Sequence, residues 1–126
     1  MCENRFYICE HCGNIIGRIY DSGVSIVCCG ENMKKLEPGT VDASHEKHVP
    51  VVNVTDNLVK VSVGSVAHPM IVEHSILWIY LQTDKGGHRK CLNPGELPEV
   101  SFALENEKPV SAYAYCNLHG LWKTDI

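Results

Sequence analysis

From residue 49 onward, apolar and polar positions alternate in short runs parted by turn residues. VPVVNV (49–54) and LVKVSV (58–63), joined by TDN, predict a hairpin with Val59, Val61 and Val63 on one face and Leu58, Lys60 and Ser62 on the other. IVEHSILWIYLQT (71–83) is apolar on both faces from Ile76 to Leu81, which predicts a central strand covered on both sides. DKGG turns the chain into HRKCL (88–92), NPGELP turns it into EVSFAL (99–104), and ENEKP leads into VSAYAYC (110–116). About seven short strands with Gly, Pro and Asn turns and almost no helical periodicity predict an antiparallel β-sandwich.

The pattern changes before EPGTVDAS (37–44). Upstream lies a cysteine-rich stretch in which NIIGRIY (14–20) and VSIV (24–27), two β-like runs, surround a turn at DSG. A unit of about 35 residues buries too little apolar surface to fold alone, so a metal or a partner must hold it together. The expected organisation is therefore a small unit over residues 1–37 and a sandwich over 38–126.

Composition narrows the class. With 126 residues, 44% apolar and 21% charged, the chain reads as one ordinary globular domain, or one with a small appendage. No apolar run approaches the ~20 residues of a membrane span, and the first residues lack a charged-then-apolar leader. A cytoplasmic protein with no membrane partner is expected. The net charge of −4 argues against nucleic acid as a partner. It also means that an anionic substrate needs a local positive patch. Seven cysteines and seven histidines are many for this length. Without a leader, and with an odd cysteine count, metal ligation is the better reading than disulfides.

Cys9, Cys12, Cys28 and Cys29 form C-x2-C-x15-C-C, a spacing that closes a tetrahedral thiolate cage around zinc or iron. A purely structural zinc ribbon shares most of that spacing. The adjacent pair Cys28–Cys29 departs from the usual knuckle and is expected to distort the tetrahedron. Cys2 and Cys91 remain as a terminal thiol and a strand side chain, and His11 as an exposed loop residue.

A second set is spread over the sandwich. His48 (EKHVP), His68 (VAHPM), His74 (VEHSI), and Cys116 with His119 (CNLHG) each fall at a strand end or in a connecting loop. Any one of these histidines alone is an ordinary side chain, but together they make a site. Four nitrogens and a thiolate exceed what structural zinc takes and suit an iron that keeps one position open.

ICEHCGN, VCCGENM, EKHVP, VGSVAHPM and YCNLHGLW together resemble, in order, the motifs of desulfoferrodoxin, the two-iron superoxide reductase family. The resemblance covers essentially the whole chain. It implies a desulforedoxin-like N-terminal unit with a rubredoxin-type iron on Cys9, Cys12, Cys28 and Cys29. It further implies an immunoglobulin-like sandwich whose second iron takes equatorial nitrogens from His48, His68, His74 and His119 and an axial sulfur from Cys116. Glu46 and Lys47 match the family's flexible loop, with Glu46 able to take the sixth position of the oxidised iron and Lys47 close to the substrate side. The implied reaction is one-electron reduction of superoxide to hydrogen peroxide. The implied partners are rubredoxin or a similar small electron donor and a second copy of the chain in a homodimer. His45 and His88 match no ligand and are left as surface residues. A non-enzymatic electron carrier and a redox-silent zinc module are the competing readings of the same residues.

Overall fold

The computed structural model describes residues 5–126. The chain forms two compact units, one ending at Glu37 and one running from Pro38 to Ile126.

In the first unit β1 (Arg5–Ile8) pairs antiparallel with β2 (Ile15–Arg18). β3 (Val27–Cys28) and β4 (Glu31–Asn32) form a second small pair, and β5 (Lys34–Lys35) flanks β1. The two β-like runs NIIGRIY and VSIV do not pair with each other across the DSG turn; the partner of β2 is β1. The cause is polar. The Arg18 guanidinium donates to the Val24 carbonyl at 2.7 Å, occupying an acceptor that a strand ladder would need. Asp21 receives the Gly23 N–H at 2.8 Å and pairs with both Arg5 and Arg18, so the segment becomes a side-chain-bonded turn.

The second unit opens with one helical turn, α1 (His45–His48), where the sequence suggested a loop. Seven strands follow: β6 (Pro50–Thr55), β7 (Leu58–Val63), β8 (Ile76–Thr83), β9 (Gly86–Cys91), β10 (Glu99–Ala103), β11 (Pro109–Cys116) and β12 (Gly120–Asp125). They form a three-stranded sheet, β10-β7-β6, and a four-stranded sheet, β12-β11-β8-β9, with all pairs antiparallel. The β6–β7 hairpin has the expected facing, with Val59, Val61 and Val63 fully buried.

The core joins the inner faces of both sheets. Val59, Val61, Val63 and Phe102 meet Ile79, Leu81, Ala112, Ala114 and Cys116 in one cluster. Each fully buried Val, Ile or Leu contributes about 1.5–3 kcal/mol. Ala112 and Ala114 pair with Leu81 and Ile79, small against large, which leaves room for the opposite sheet. The central strand is not covered all round. Leu77 is an extra residue where the β8–β11 register shifts between Tyr115 and Cys116, and it is 39% exposed. The bulge turns both Ile76 and Cys116 inward at one end of the sandwich.

Candidate metal centres

In the first unit the Sγ atoms of Cys9, Cys12, Cys28 and Cys29 all lie within 4.8 Å of one another. Cys12 Sγ is 3.6 Å from Cys28 Sγ, which is 4.0 Å from Cys29 Sγ. A tetrahedron with metal–sulfur bonds of about 2.3 Å has edges of about 3.8 Å, so the spacing fits a bound ion. The adjacent pair reaches one point because Cys29 adopts a left-handed backbone, φ 54°. The Cys12 N–H, directed at the Cys9 sulfur, lowers the Cys9 pKa to about 6, whereas neighbouring thiols, Cys12 foremost, push Cys29 up to about 12. One thiolate forms readily in this cluster and four need a cation among them. His11 stays outside the cage, paired with Glu31 at 3.0 Å. Cys2 lies outside the described residues.

In the second unit the bulged end of the sandwich gathers the imidazoles. His48 closes α1, with its Nδ1 2.6 Å from the Ser44 carbonyl. His68 places Nδ1 2.7 Å from the Pro69 carbonyl. Each Nδ1–H therefore donates to a main-chain oxygen, and each Nε2 is left as a bare acceptor. Those two acceptors face each other at 3.2 Å, and His48 Nε2 is 3.1 Å from His119 Nδ1. Buried His74 Nε2 has no hydrogen-bond partner. Ligand atoms of His48, His68, His74 and Cys116 lie within 4.8 Å of one another, and His119 Nδ1 is 3.8 Å from Cys116 Sγ. Converging lone pairs repel unless a cation lies among them. The two short nitrogen–nitrogen distances are those of neighbouring ligands at right angles, about 3.0 Å for bonds of about 2.1 Å.

Burial lowers the pKa values of His48, His74 and His68, the last to about 4. All three are neutral and ready to ligate at pH 7. The Lys47 charge contributes to the lowering at both His48 and His74, so its ammonium acts on the site although the side chain is exposed. The Glu46 side chain is also exposed. Its main-chain oxygen is held by the Val66 N–H at 2.9 Å and the Ser65 hydroxyl at 3.2 Å. Gly64 packs so closely under this turn that a Cβ there would lie 2.6 Å from Glu46 O and 2.9 Å from Val49 O.

Trp122 was not singled out from sequence. It is buried, its ring lies 5.1 Å from that of His48, and its Nε1–H donates to the His119 carbonyl at 3.0 Å. Its place three residues after His119, beyond the tight turn at Gly120 (φ 77°), was the available signal. The carbonyls of Ser44 and Pro69 had none, because every residue carries one. His45 sets its ring at 5.4 Å from Trp122, His88 pairs with Glu107 at 3.0 Å, and Cys91 is exposed on β9.

A four-thiolate cage in one unit and an imidazole–thiolate cluster at one end of a β-sandwich define a metalloprotein with two non-haem centres. The desulfoferrodoxin family model matches residues 40–125, the model of the desulfoferrodoxin N-terminal domain matches residues 2–36, and the chain belongs to this family. It is 50% identical over 123 residues to desulfoferrodoxin of Nitratidesulfovibrio vulgaris, covering 98% of this chain and 97% of that one. The superoxide reductase of Pyrococcus horikoshii is 35% identical over 103 residues, 68% of this chain and 90% of its own. The crystal structure of superoxide reductase from Treponema pallidum superposes with a TM-score of 0.82 at 44% identity, over 98% of this chain and 99% of that chain. The two donor sets accordingly correspond to two irons, one on the four cysteines and one on the histidine–cysteine cluster.

Proposed function

We infer that the chain is a superoxide reductase, adding one electron and two protons to superoxide to give hydrogen peroxide. The observation that carries this is the cluster of neutral imidazoles converging with Cys116 beneath an exposed lysine, in a chain of this family. Iron held there supplies the electron and a position for a small anion. His48, His68, His74 and Cys116 hold it, with His119 Nδ1 as the fourth nitrogen, a role supported by its 3.1 Å approach to His48 Nε2. Because the imidazoles are neutral, the site keeps a net positive character toward the substrate. Lys47 draws the anion in against the protein's overall negative charge. Glu46 offers a carboxylate that caps the oxidised site after turnover. Cys9, Cys12, Cys28 and Cys29 hold the first iron within a domain spanning residues 1–37, and 38–126 form the catalytic domain. The electron arrives from rubredoxin or a similar small carrier, and the enzyme works as a cytoplasmic homodimer. No helix among the described residues is long and apolar enough to cross a membrane.

Pulse radiolysis of the reduced protein tests the reading. A reductase forms one peroxide per superoxide consumed, a dismutase forms half as much, and a simple electron carrier leaves superoxide to its spontaneous decay. Cys116→Ser should remove the thiolate-to-iron absorption of the second centre and slow the reaction severely. A variant that kept both would sink the assignment.

A further inference from the structure

Four stretches of chain bring donors to the second centre, and two of its histidines have orienting partners already described. His48 and His68 each lean on a carbonyl within a few residues of their own backbone. For His74 the structure shows a different device, built from the loop that carries Cys116. Asn117 Oδ1 accepts the Ser75 N–H at 3.0 Å, and Asn117 Nδ2 donates to the Glu73 carbonyl at 3.0 Å. The Asn117 N–H also points at the Ser75 carbonyl, at 3.3 Å. One residue thus grips the chain immediately before and immediately after His74, while its own backbone is bonded covalently to Cys116.

We propose that Asn117 is a positioning residue that fixes His74 relative to Cys116, so that the imidazole and the thiolate move as one body. This rests on the reading that both ligate the same iron. The chemistry requires this residue type. Gripping both sides of one residue takes a short side chain with an acceptor and a donor on two separate atoms, which an amide provides; an ionised carboxylate lacks the donor, and a hydroxyl has both on a single atom. Asn117 itself is exposed, so its hydrogen bonds add little to the stability of the fold. Their consequence falls on the geometry of the metal site.

The test uses the two-iron protein and follows release of each iron to a chelator, together with the visible spectrum of the oxidised second centre. The first centre is the internal reference, since general loosening or handling damage would not single out the second. Asn117→Ala should speed release of the second iron about tenfold or more and shift the thiolate-to-iron band, with the thermal midpoint little changed. Asn117→Asp keeps the acceptor for Ser75 but sets a carboxylate oxygen against the Glu73 carbonyl, and should do at least as much. Wild-type release and an unmoved band in the folded variants would overturn the proposal. Should neither variant fold, amide exchange of the wild type decides. The Ser75 N–H, held by Asn117 Oδ1, should exchange at least about tenfold more slowly than an unstructured amide with and without bound zinc, and exchange at the unstructured rate would refute the clamp. None of these readouts depends on peroxide formation, so failure of the proposed activity would be told apart from failure of this inference.

Discussion

Replacing Gly64 by alanine puts a methyl group against the turn that carries His48. The added Cβ would lie 2.6 Å from Glu46 O and 2.9 Å from Val49 O, and ordinary contact begins near 3.4 Å. The turn must therefore give by 3.4 − 2.6 = 0.8 Å at one end and 3.4 − 2.9 = 0.5 Å at the other. Both displaced atoms are main chain, so no side-chain rotation relieves them. A metal site tolerates errors of only about 0.2 Å in its bond lengths, and His48 sits between the two atoms being moved. The strain costs about 1–3 kcal/mol of stability, as for other overpacked positions. The second centre should lose about 10- to 100-fold in iron affinity, the range for losing an orienting neighbour of a ligand. Iron per chain after dialysis against a graded chelator series measures this, with the four-cysteine iron as the standard that should not change. Gly17→Ala is the control, because its Cβ meets nothing nearer than 3.9 Å. If Gly64→Ala held both irons as tightly as wild type, the claim that this contact sets the position of His48 would be wrong.

Three further outcomes are expected. Cys12→Ser should remove the first iron and leave peroxide formation largely intact, and activity falling in proportion to that loss would move catalysis to the wrong centre. Lys47→Ile should slow the reaction with superoxide about 3- to 100-fold, the effect of roughly 0.7–2.8 kcal/mol for a charge about 6 Å away between water and an effective dielectric near 20. Its rate should also show a flatter or inverted salt dependence, whereas an unchanged rate and salt slope would remove the steering role. Glu107 is held below its ordinary pKa of 4.5 by the Thr83 hydroxyl and by His88, so its stabilisation is present above pH 4.5 and fades as the pH falls through the lowered value. Acid titration of the unfolding midpoint should show Glu107→Gln less stable than wild type near neutrality and equal to it in strong acid; parallel curves at all pH values would contradict this.

Much of this structure was legible because its signals are local. The alternation of Val59, Val61 and Val63 is a strand whatever surrounds it, and C-x2-C or CNLHG are ligand spacings within single loops. What escaped depends on partners far along the chain. β1, not VSIV, pairs with β2 because two arginines and Asp21 redirect the segment after β2, a competition that periodicity does not register. α1 is four residues long, too short for a repeat of 3.6 to show, and is pinned by Ser65 and Val66 nearly twenty positions later. β12 reads poorly because Lys123 and Asp125 interrupt its apolar run, and pairing with β11 makes it a strand. The histidines of the cluster were visible in the sequence, but the carbonyls and the indole that aim them were not.

The donors of the second centre come from both layers of the sandwich. His48 and His68 flank the β6–β7 hairpin of one sheet, while His74 precedes β8 and Cys116 ends β11 of the other. An ion held there is a rivet through one edge of two plates joined otherwise by apolar contact and by the Thr124 hydroxyl, which donates to the Pro50 carbonyl at 2.6 Å. The opposite edge, at the Asp56–Asn57 and Asp84–Lys85 turns, has no such fastening among the described residues. Opening must therefore begin at the turns and stop at the metal, and the plates cannot separate fully until a coordinate bond breaks. Complete unfolding therefore waits on metal release, although metal release need not unfold the domain, so the same ion that carries the chemistry also slows the loss of the fold.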